Sequence, residues 1–343
     1  MLILQGRGGR WVQLYRNHFR AMGSPCQIRV YTESSSLAQK GMAAAQAAIR
    51  RLESKYSRYR PDTLTSRLNA TAGTGEWVPV DDETHGLCEM AKQAFMLSDG
   101  LFDLTAGVLR KAWDFKSGRI ATQADIDALL PLVGWEQIEW KRDSQAPSGW
   151  SMRLPLRGME LDFGGIVKEY AADTAATTLM TFDLSIALVD LGGDLRVMGA
   201  PPQGPGWRVG IRNPRCPDCP LSLVSLQQGA VATSGDYERY IEHNGRRYCH
   251  ILNPHTGWPV SGLASATVIA EPCVVAGIAS TVALLKGATA GLAWLRSLDV
   301  PFLLVTEMGT VITEQTVTEQ TVTDTEQTPN MSSDFNQNGV RTA

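Results

Sequence analysis

Several common function classes are excluded by what this chain lacks. No run approaches about 18 consecutive apolar residues, so no membrane span is legible. Neither sign of charge dominates. A net charge of -3 across 343 residues gives a polyanionic nucleic acid no bulk attraction. Cysteine is sparse: the six, Cys26, Cys88, Cys216, Cys219, Cys249 and Cys273, lack the spacing of a disulfide-dense domain. Cys216-Pro-Asp-Cys219 is a lone CxxC in a proline-rich loop, half a zinc site at best, and is read as an ordinary loop. Neither GxGxxG nor a P-loop occurs, which argues against Rossmann and Walker nucleotide sites. The N-terminus offers only four apolar residues before polar and basic ones, too few for a signal-peptide core. The expected location is therefore cytoplasmic, with a periplasmic, membrane-associated protein as the alternative if the start is truncated.

What is present suits a sizeable core, with 43% hydrophobic and 20% charged residues. Residues 1–20 are basic and glycine-rich and are expected to form a loose arm. Met22-Gly23-Ser24 leads into an alternating strand at Cys26–Tyr31. Met42, Ala45, Ile49, Leu52 and Tyr56 recur at steps of three and four, which predicts a helix from Ser35. A basic, aromatic loop follows, Ser57-Arg58-Tyr59-Arg60-Pro61-Asp62. A second helix is predicted over Asp81–Asp99, with Gly100 as its stop. Thr122-Gln-Ala-Asp125 reads as a helix start, and Gly134–Trp140 as a short strand. Leu161–Asp173 reads as strand, glycine turn and helix. Free N–H groups at such a helix start favour a phosphate. Strands are expected at 185–190, 207–211, 221–226 and 264–270. Two helices follow, 273–285 and 288–298, then a closing hairpin around Met308-Gly309. From Thr313 the sequence TEQTV repeats, too polar to join a core and expected to be disordered. The count of elements predicts an α+β fold, with mostly antiparallel strands and flanking helices, in one domain over 21–312 between arm and tail.

The richest stretch is Thr233–Gly257. Asn244-Gly245 between two apolar-polar runs predicts a hairpin with a primed turn. Thr233–Asp236 reads as a small polar turn at one end, and His250 with Asn253-Pro-His-Thr-Gly257 closes the other. Ser, Asp and His gathered at strand ends suit proton transfer, while a decorated hairpin with His250 packed inside explains the spacing equally well.

Seven separated blocks, AMGS, SRYRPDTLTSRLN, DGLFDLT followed by WDF, LDFGGIVKEYAAD, DLGGDL, WRVGIRNP and TSGDY…CHILNPHTG, together resemble the ApbE family of FAD:protein FMN transferases. The resemblance runs from about Met22 to Ile312. It implies an enzyme that cleaves the pyrophosphate of FAD with Mg2+ and attaches FMN to a Thr or Ser of an acceptor flavoprotein. An FAD-binding protein with little catalysis, or a hydrolase releasing FMN and AMP, are the alternatives. It further implies His250 as the catalytic base and Met22, Tyr59, Leu101, Phe102, Asp103, Asp162, Lys168 and Ile251 as contacts to FAD. Metal ligands are implied at the Gly165 carbonyl and at Thr281. One departure stands out. Gly277 occupies the position where the family carries an aspartate ligand, one helical turn before Thr281. An aspartate restored there is expected to complete an oxygen cage. Glu169 stands where the family usually has glycine, and the direction of its carboxylate is not legible from sequence.

Overall fold

The computed structural model describes residues 3–5 and 11–314. In chain order the elements are β1 (Ile3–Gln5), β2 (Trp11–Ala21), β3 (Ser24–Thr32), α1 (Ser35–Tyr56), α2 (Leu64–Ala70), β4 (Val78–Val80), α3 (Asp82–Leu97), α4 (Gln123–Asp127), β5 (Glu139–Arg142), β6 (Trp150–Arg153), α5 (Val167–Met180), β7 (Ala187–Leu191), β8 (Asp194–Met198), β9 (Trp207–Asn213), β10 (Cys216–Leu226), β11 (Gly229–Gly235), β12 (Tyr240–His243), β13 (Arg246–Cys249), β14 (Leu263–Ala270), α6 (Cys273–Ser297), β15 (Phe302–Thr306) and β16 (Val311–Thr313). A nine-stranded sheet in the order β1-β2-β3-β7-β8-β11-β14-β15-β16 is the backbone of the molecule. Every pairing in it is antiparallel. The fold is α+β, as the sequence predicts.

Strand alternation separates the two faces of this sheet. Ile28, Val30, Ala187 and Val189 face a core shared with Ala45, Ile49 and Leu52 of α1 and Ala171, Ala172 and Ala175 of α5. Ala232, Ala266, Val268, Phe302 and Leu304 face α6. The intervening residues Leu303 and Val305 point the other way and pack on Ile211 and Val224 of the β9–β10 ribbon, joined by Ala264 at a register irregularity in β14. A period of two thus fills a helical layer on one side and a β ribbon on the other. Each fully buried Leu, Ile or Phe contributes roughly 1.5–3 kcal/mol.

The helix boundaries follow local chemistry. The Ser34 side chain caps α1 by accepting from Leu37 N at 3.2 Å. Asp81 caps α3 through Thr84 N at 3.0 Å. Thr122 and Asp125 form a complete capping box on α4. The apolar run from Cys273 to Ser297 is long enough to cross a membrane by length and composition. It is broken at Gly287 (φ 76°, ψ -178°), which separates the two helices that the sequence predicts, and its buried residues pack on the sheet.

Several expectations are corrected. Residues 11–20 are not a loose arm: β2 pairs with β3 from Gln13↔Thr32 to Ala21↔Ser24, because this basic segment also carries alternating apolar residues. The fold includes residues slightly past 312, since Thr313 closes β16 and Glu314 pairs with Arg296 at 2.6 Å. The rest of the TEQTV repeat lies outside the described residues. Gly134–Trp140 begins as a 3-10 turn, Trp135–Gln137, before β5. No strand precedes α5; a 3-10 turn, Phe163–Gly165, feeds it. Thr233–Gly235 is not a turn but the end of β11, zipped to β14. Cys216 and Cys219 are joined as a disulfide.

Tight turns carry positive backbone φ where the chain must reverse within two residues. Asn244 and Gly245 (φ 51° and 72°) join β12 to β13 as predicted. Gly192 and Gly193 (φ 67° and 95°) join β7 to β8, and a Cβ at 192 would lie 2.6 Å from Ser24 Cβ. Gly192→Ala therefore combines left-handed strain with a clash and is expected to cost about 2–4 kcal/mol. Urea unfolding checks it; a loss under about 0.5 kcal/mol would contradict this packing.

Candidate active site

The helix starts and the hairpin bring residues of several separated blocks together, with His250 in electrostatic reach of Arg239, Lys168 and Arg58. Beside them is a polar seam beneath α5. Lys168 Nζ pairs with Asp194 Oδ2 at 2.5 Å, and Asp194 Oδ1 accepts from Thr233 N at 3.1 Å. Burial works against the Lys168 ammonium, but Asp194 and Glu169 outweigh it and raise its pKa. Lys168 is thus a permanently charged group held at the sheet. Asp194 was not singled out by sequence reasoning, although it closes the DLGGDL block. Its acidic residue after a glycine pair was the available signal.

Beside this pair lies the region expected to hold a metal. Ser234 Oγ is 2.8 Å from Ser280 Oγ and 2.9 Å from Thr281 Oγ1. Ser280 Oγ donates to the Gly277 carbonyl at 3.0 Å. Gly277 is packed against a side chain: a Cβ there would meet Glu169 Cγ at 2.5 Å and Cδ at 2.9 Å. An aspartate at 277, expected to complete a cage, would first have to displace the Glu169 side chain. Glu169 already fills the place. Glu169 is 8% exposed, and its Oε2 has no hydrogen-bond partner. Burial pushes its carboxyl pKa up, Asp194 pushes it further, and Lys168 opposes both. Among the described residues no three His, Cys, Asp or Glu side chains converge as a metal cluster. The hydroxyls of Ser234, Ser280 and Thr281 converge, and Glu169 packs on Gly277 one helical turn before Thr281.

Gly165, whose carbonyl is the other expected ligand, ends the 3-10 turn that feeds α5. A Cβ there would touch only Phe102, at 3.7–3.8 Å. Phe102 is buried in the main core and supports this turn from below. Leu101 beside it is half-buried. Asp103 caps the following 3-10 helix, Leu104–Lys111, accepting from Thr105 N at 2.7 Å and Trp135 N at 2.9 Å. Its carboxylate is thus committed to the backbone, and burial raises its pKa despite those bonds.

A second group lines the mouth. Asp162 accepts from Gly164 N at 2.9 Å and is ion-paired with Arg58. Arg58 lies 5.0 Å from the Tyr59 ring centroid and donates to the Tyr59 hydroxyl at 3.0 Å. The Tyr59 ring is otherwise bare, 74% exposed, and so presents an aromatic face at the cleft. Met22 has φ 52°, rare for a residue with a side chain, and donates its N–H to Glu53 Oε1 at 2.6 Å. It forms the β2–β3 turn with Gly23, whose Cβ position lies 3.9 Å from Arg239.

His250 follows β13 directly. Its Nδ1 is 3.2 Å from the Arg239 carbonyl, which can only accept, so Nδ1 carries the proton and Nε2 is left as the acceptor. Crowding in the cleft lowers its pKa, and Arg239, Lys168 and Arg58 lower it further, against the carbonyl bond. The ring keeps an exposed edge, so the three cations are the firmer cause. His250 is neutral at pH 7 and available as a base. Ile251, the next residue, is half-buried and held through its carbonyl by Val260 N at 3.0 Å. Asp236 is not part of this arrangement; it is buried against Arg215 in a bidentate pair at 2.7 Å. The hairpin itself is anchored where Trp113 Nε1 donates to Gly257 O at 2.9 Å, joining WDF to NPHTG.

With the geometry assembled, the comparisons can be placed on it. The ApbE family matches residues 22–304. The chain belongs to the ApbE family. It is 32% identical over 304 residues to the FAD:protein FMN transferase of Treponema pallidum, covering 81% of this chain and 83% of that one. It is 31% identical over 296 residues to the FAD:protein FMN transferase of Klebsiella pneumoniae, covering 85% and 89%. The crystal structure of the ApbE protein from Thermotoga maritima superposes with a TM-score of 0.78 at 30% identity, covering 89% of this chain and 98% of that one.

One expectation concerns folding alone. Asp103→Ala removes a cap and leaves the Trp135 N–H without its acceptor, and should cost about 1–3 kcal/mol. Thermal and urea unfolding read this. Unchanged stability would mean that Asp103 is held for a ligand rather than for the backbone.

Proposed function

We propose that this protein is an FAD:protein FMN transferase, moving FMN from FAD to a Thr or Ser hydroxyl of an acceptor flavoprotein and releasing AMP. One observation carries the reading beyond membership of the family. His250 is neutral, its tautomer is fixed by Arg239 O, and it shares the cleft with Lys168 and an exposed aromatic ring.

The chemistry follows from those groups. The acceptor oxygen bonds to the FMN phosphorus, the bond from that phosphorus to the bridging oxygen breaks, and AMP leaves with its phosphate. His250 Nε2 takes the hydroxyl proton. Lys168 and the backbone N–H groups at the start of α5 face the charge gathering on the phosphate oxygens. The bare Tyr59 ring offers a stacking surface for a flat heterocycle, with Arg58 and Asp162 behind it. Met22 and Ile251 supply apolar contact beside it.

A divalent cation such as Mg2+ belongs to the proposal. When bound it would neutralise charge on the pyrophosphate as a Lewis acid. The residues present fit a hard cation, with a buried, unpartnered carboxylate oxygen at Glu169 and hydroxyls at Thr281 and Ser234. Incubation with FAD, Mg2+ and an acceptor domain that a related transferase flavinylates tests the whole reading. Flavin fluorescence in the denatured acceptor is expected. Free FMN alone would show a hydrolase, and intact FAD a binding protein.

Two outcomes test the base. His250→Ala should retain FAD binding and lose about 10²–10⁴-fold in transfer rate. In the wild type, the acid limb of the single-turnover rate should lie below the ordinary imidazole value near 6.5. The sign follows from the charge: the base works unprotonated, and a lowered pKa keeps it unprotonated to lower pH. A limb at or above the ordinary value would show that His250 is not the titrating base.

A further inference from the structure

Two departures from the family pattern, seen in sequence as separate oddities, meet in space. Glu169 is on α5 and Gly277 on α6. A methyl group at 277 would stand 2.5 Å from Glu169 Cγ and 3.2 Å from its Oε1. The two positions therefore share one side-chain volume. A residue larger than glycine at 277 would force the Glu169 side chain out of its present position. The carboxylate that fills the volume is buried to 8% exposure and leaves Oε2 without a partner. Such an atom is costly unless something supplies the missing contact. The Glu169 carboxyl is within side-chain hydrogen-bond reach of Asp194, which is already paired with Lys168, so two acidic groups face one ammonium while Oε2 stays unpartnered. On the other side are the Thr281 and Ser234 hydroxyls, 2.9 Å apart, one helical turn along from Gly277.

We infer that the cation site has kept its carboxylate and changed the helix that delivers it: Glu169 of α5 ligates the divalent cation with the Thr281 hydroxyl, in the volume that a side chain at Gly277 would otherwise occupy. The inference rests on the proposed flavin chemistry only for the purpose of the cation, not for the site. Glutamate is longer than aspartate by one methylene, which suits a ligand reaching across from the neighbouring helix. Gly277 is then a required partner of Glu169 rather than a lesion. It also explains why the single change Gly277→Asp adds no ligand: the new side chain collides with the one already present.

The test reads cation binding directly. Mn2+ is titrated into the full chain and the free ion counted by electron paramagnetic resonance, with and without FAD, while flavin fluorescence on the same samples reports FAD binding. Thermal melting verifies that each variant is folded. Glu169→Gln, nearly isosteric, should weaken Mn2+ binding at least about tenfold. Gly277→Asp alone should lower the melting temperature and leave Mn2+ binding no tighter. The exchange Glu169→Gly with Gly277→Asp should return Mn2+ affinity to near that of the wild type. A merely structural Glu169, a counter-charge for Lys168, would move the melting temperature and leave the Mn2+ titration where it was.

A folded Glu169→Gln with wild-type Mn2+ affinity overturns the assignment. So does a folded double variant without recovery, or a wild type that binds no Mn2+ under either condition. If FAD still binds in those cases, the flavin reading stands while this inference falls. If Mn2+ behaves as expected but FAD does not bind, the site stands and the flavin reading falls.

Discussion

The ion pair between Lys168 and Asp194 is the contact on which the architecture of the cleft depends. A lysine ammonium placed under a helix and against a sheet is stable only with a partner in reach. Asp194 provides it from the first position of β8, immediately after a turn in which Gly192 and Gly193 both take positive φ. The same carboxylate accepts from Thr233 N on β11, so one side chain ties α5 to two adjacent strands. Once these are fixed, the register of β11 sets Ser234 against Ser280 and Thr281 of α6. The start of α5 is fixed as well, with its turn resting on Phe102. The cleft is therefore a consequence of satisfying one buried charge. Removal of Asp194 would leave the ammonium with Glu169 alone, and removal of Lys168 would leave Asp194 with only the Thr233 N–H.

The fold was legible in sequence wherever a single period ran long enough. The apolar positions of α1 are all buried as read, and Asn244-Gly245 makes its turn because both residues tolerate positive φ. Gly287 divides α6 because a glycine at φ 76° ends a helix that hydropathy alone would have continued. The misreadings share one cause. β2 was hidden by its arginines, which sit on the pairing strand beside alternating apolar residues. The Ser234 strand was hidden by its small polar residues. Serine and glycine read as a turn in isolation, yet a central strand can carry them when a helix lies close above. Pairing energy from neighbours is not written in the local pattern.

The site was legible in part for a related reason. His250 and Tyr59 could be named from their blocks, and each keeps a free atom or face. Residues that serve the backbone could not be told from them. Asp103 spends its carboxylate on Thr105 and Trp135, and Phe102 spends its ring on the core. Arg58, Arg239 and Asp194 were missed because their importance is relational. Each matters through the charge it places beside His250, Asp162 or Lys168, and sequence separation conceals that.

The same relational argument bears on Gly277. Read by itself, a glycine in place of an acidic ligand indicates a failing metal site. That inference treats the ligand as belonging to a position in the chain. Coordination chemistry has no such requirement; it counts oxygen atoms, charge and distance around a point. Two helices that touch can each deliver a carboxylate to that point, provided only one does so at a time. Close packing sets the two choices against each other, because a side chain at 277 would have to displace Glu169. A change at one position alone therefore passes through either an overfilled or an emptied volume, each destabilising. The pair observed here, glutamate on α5 against glycine on α6, is one of the two arrangements that avoid both.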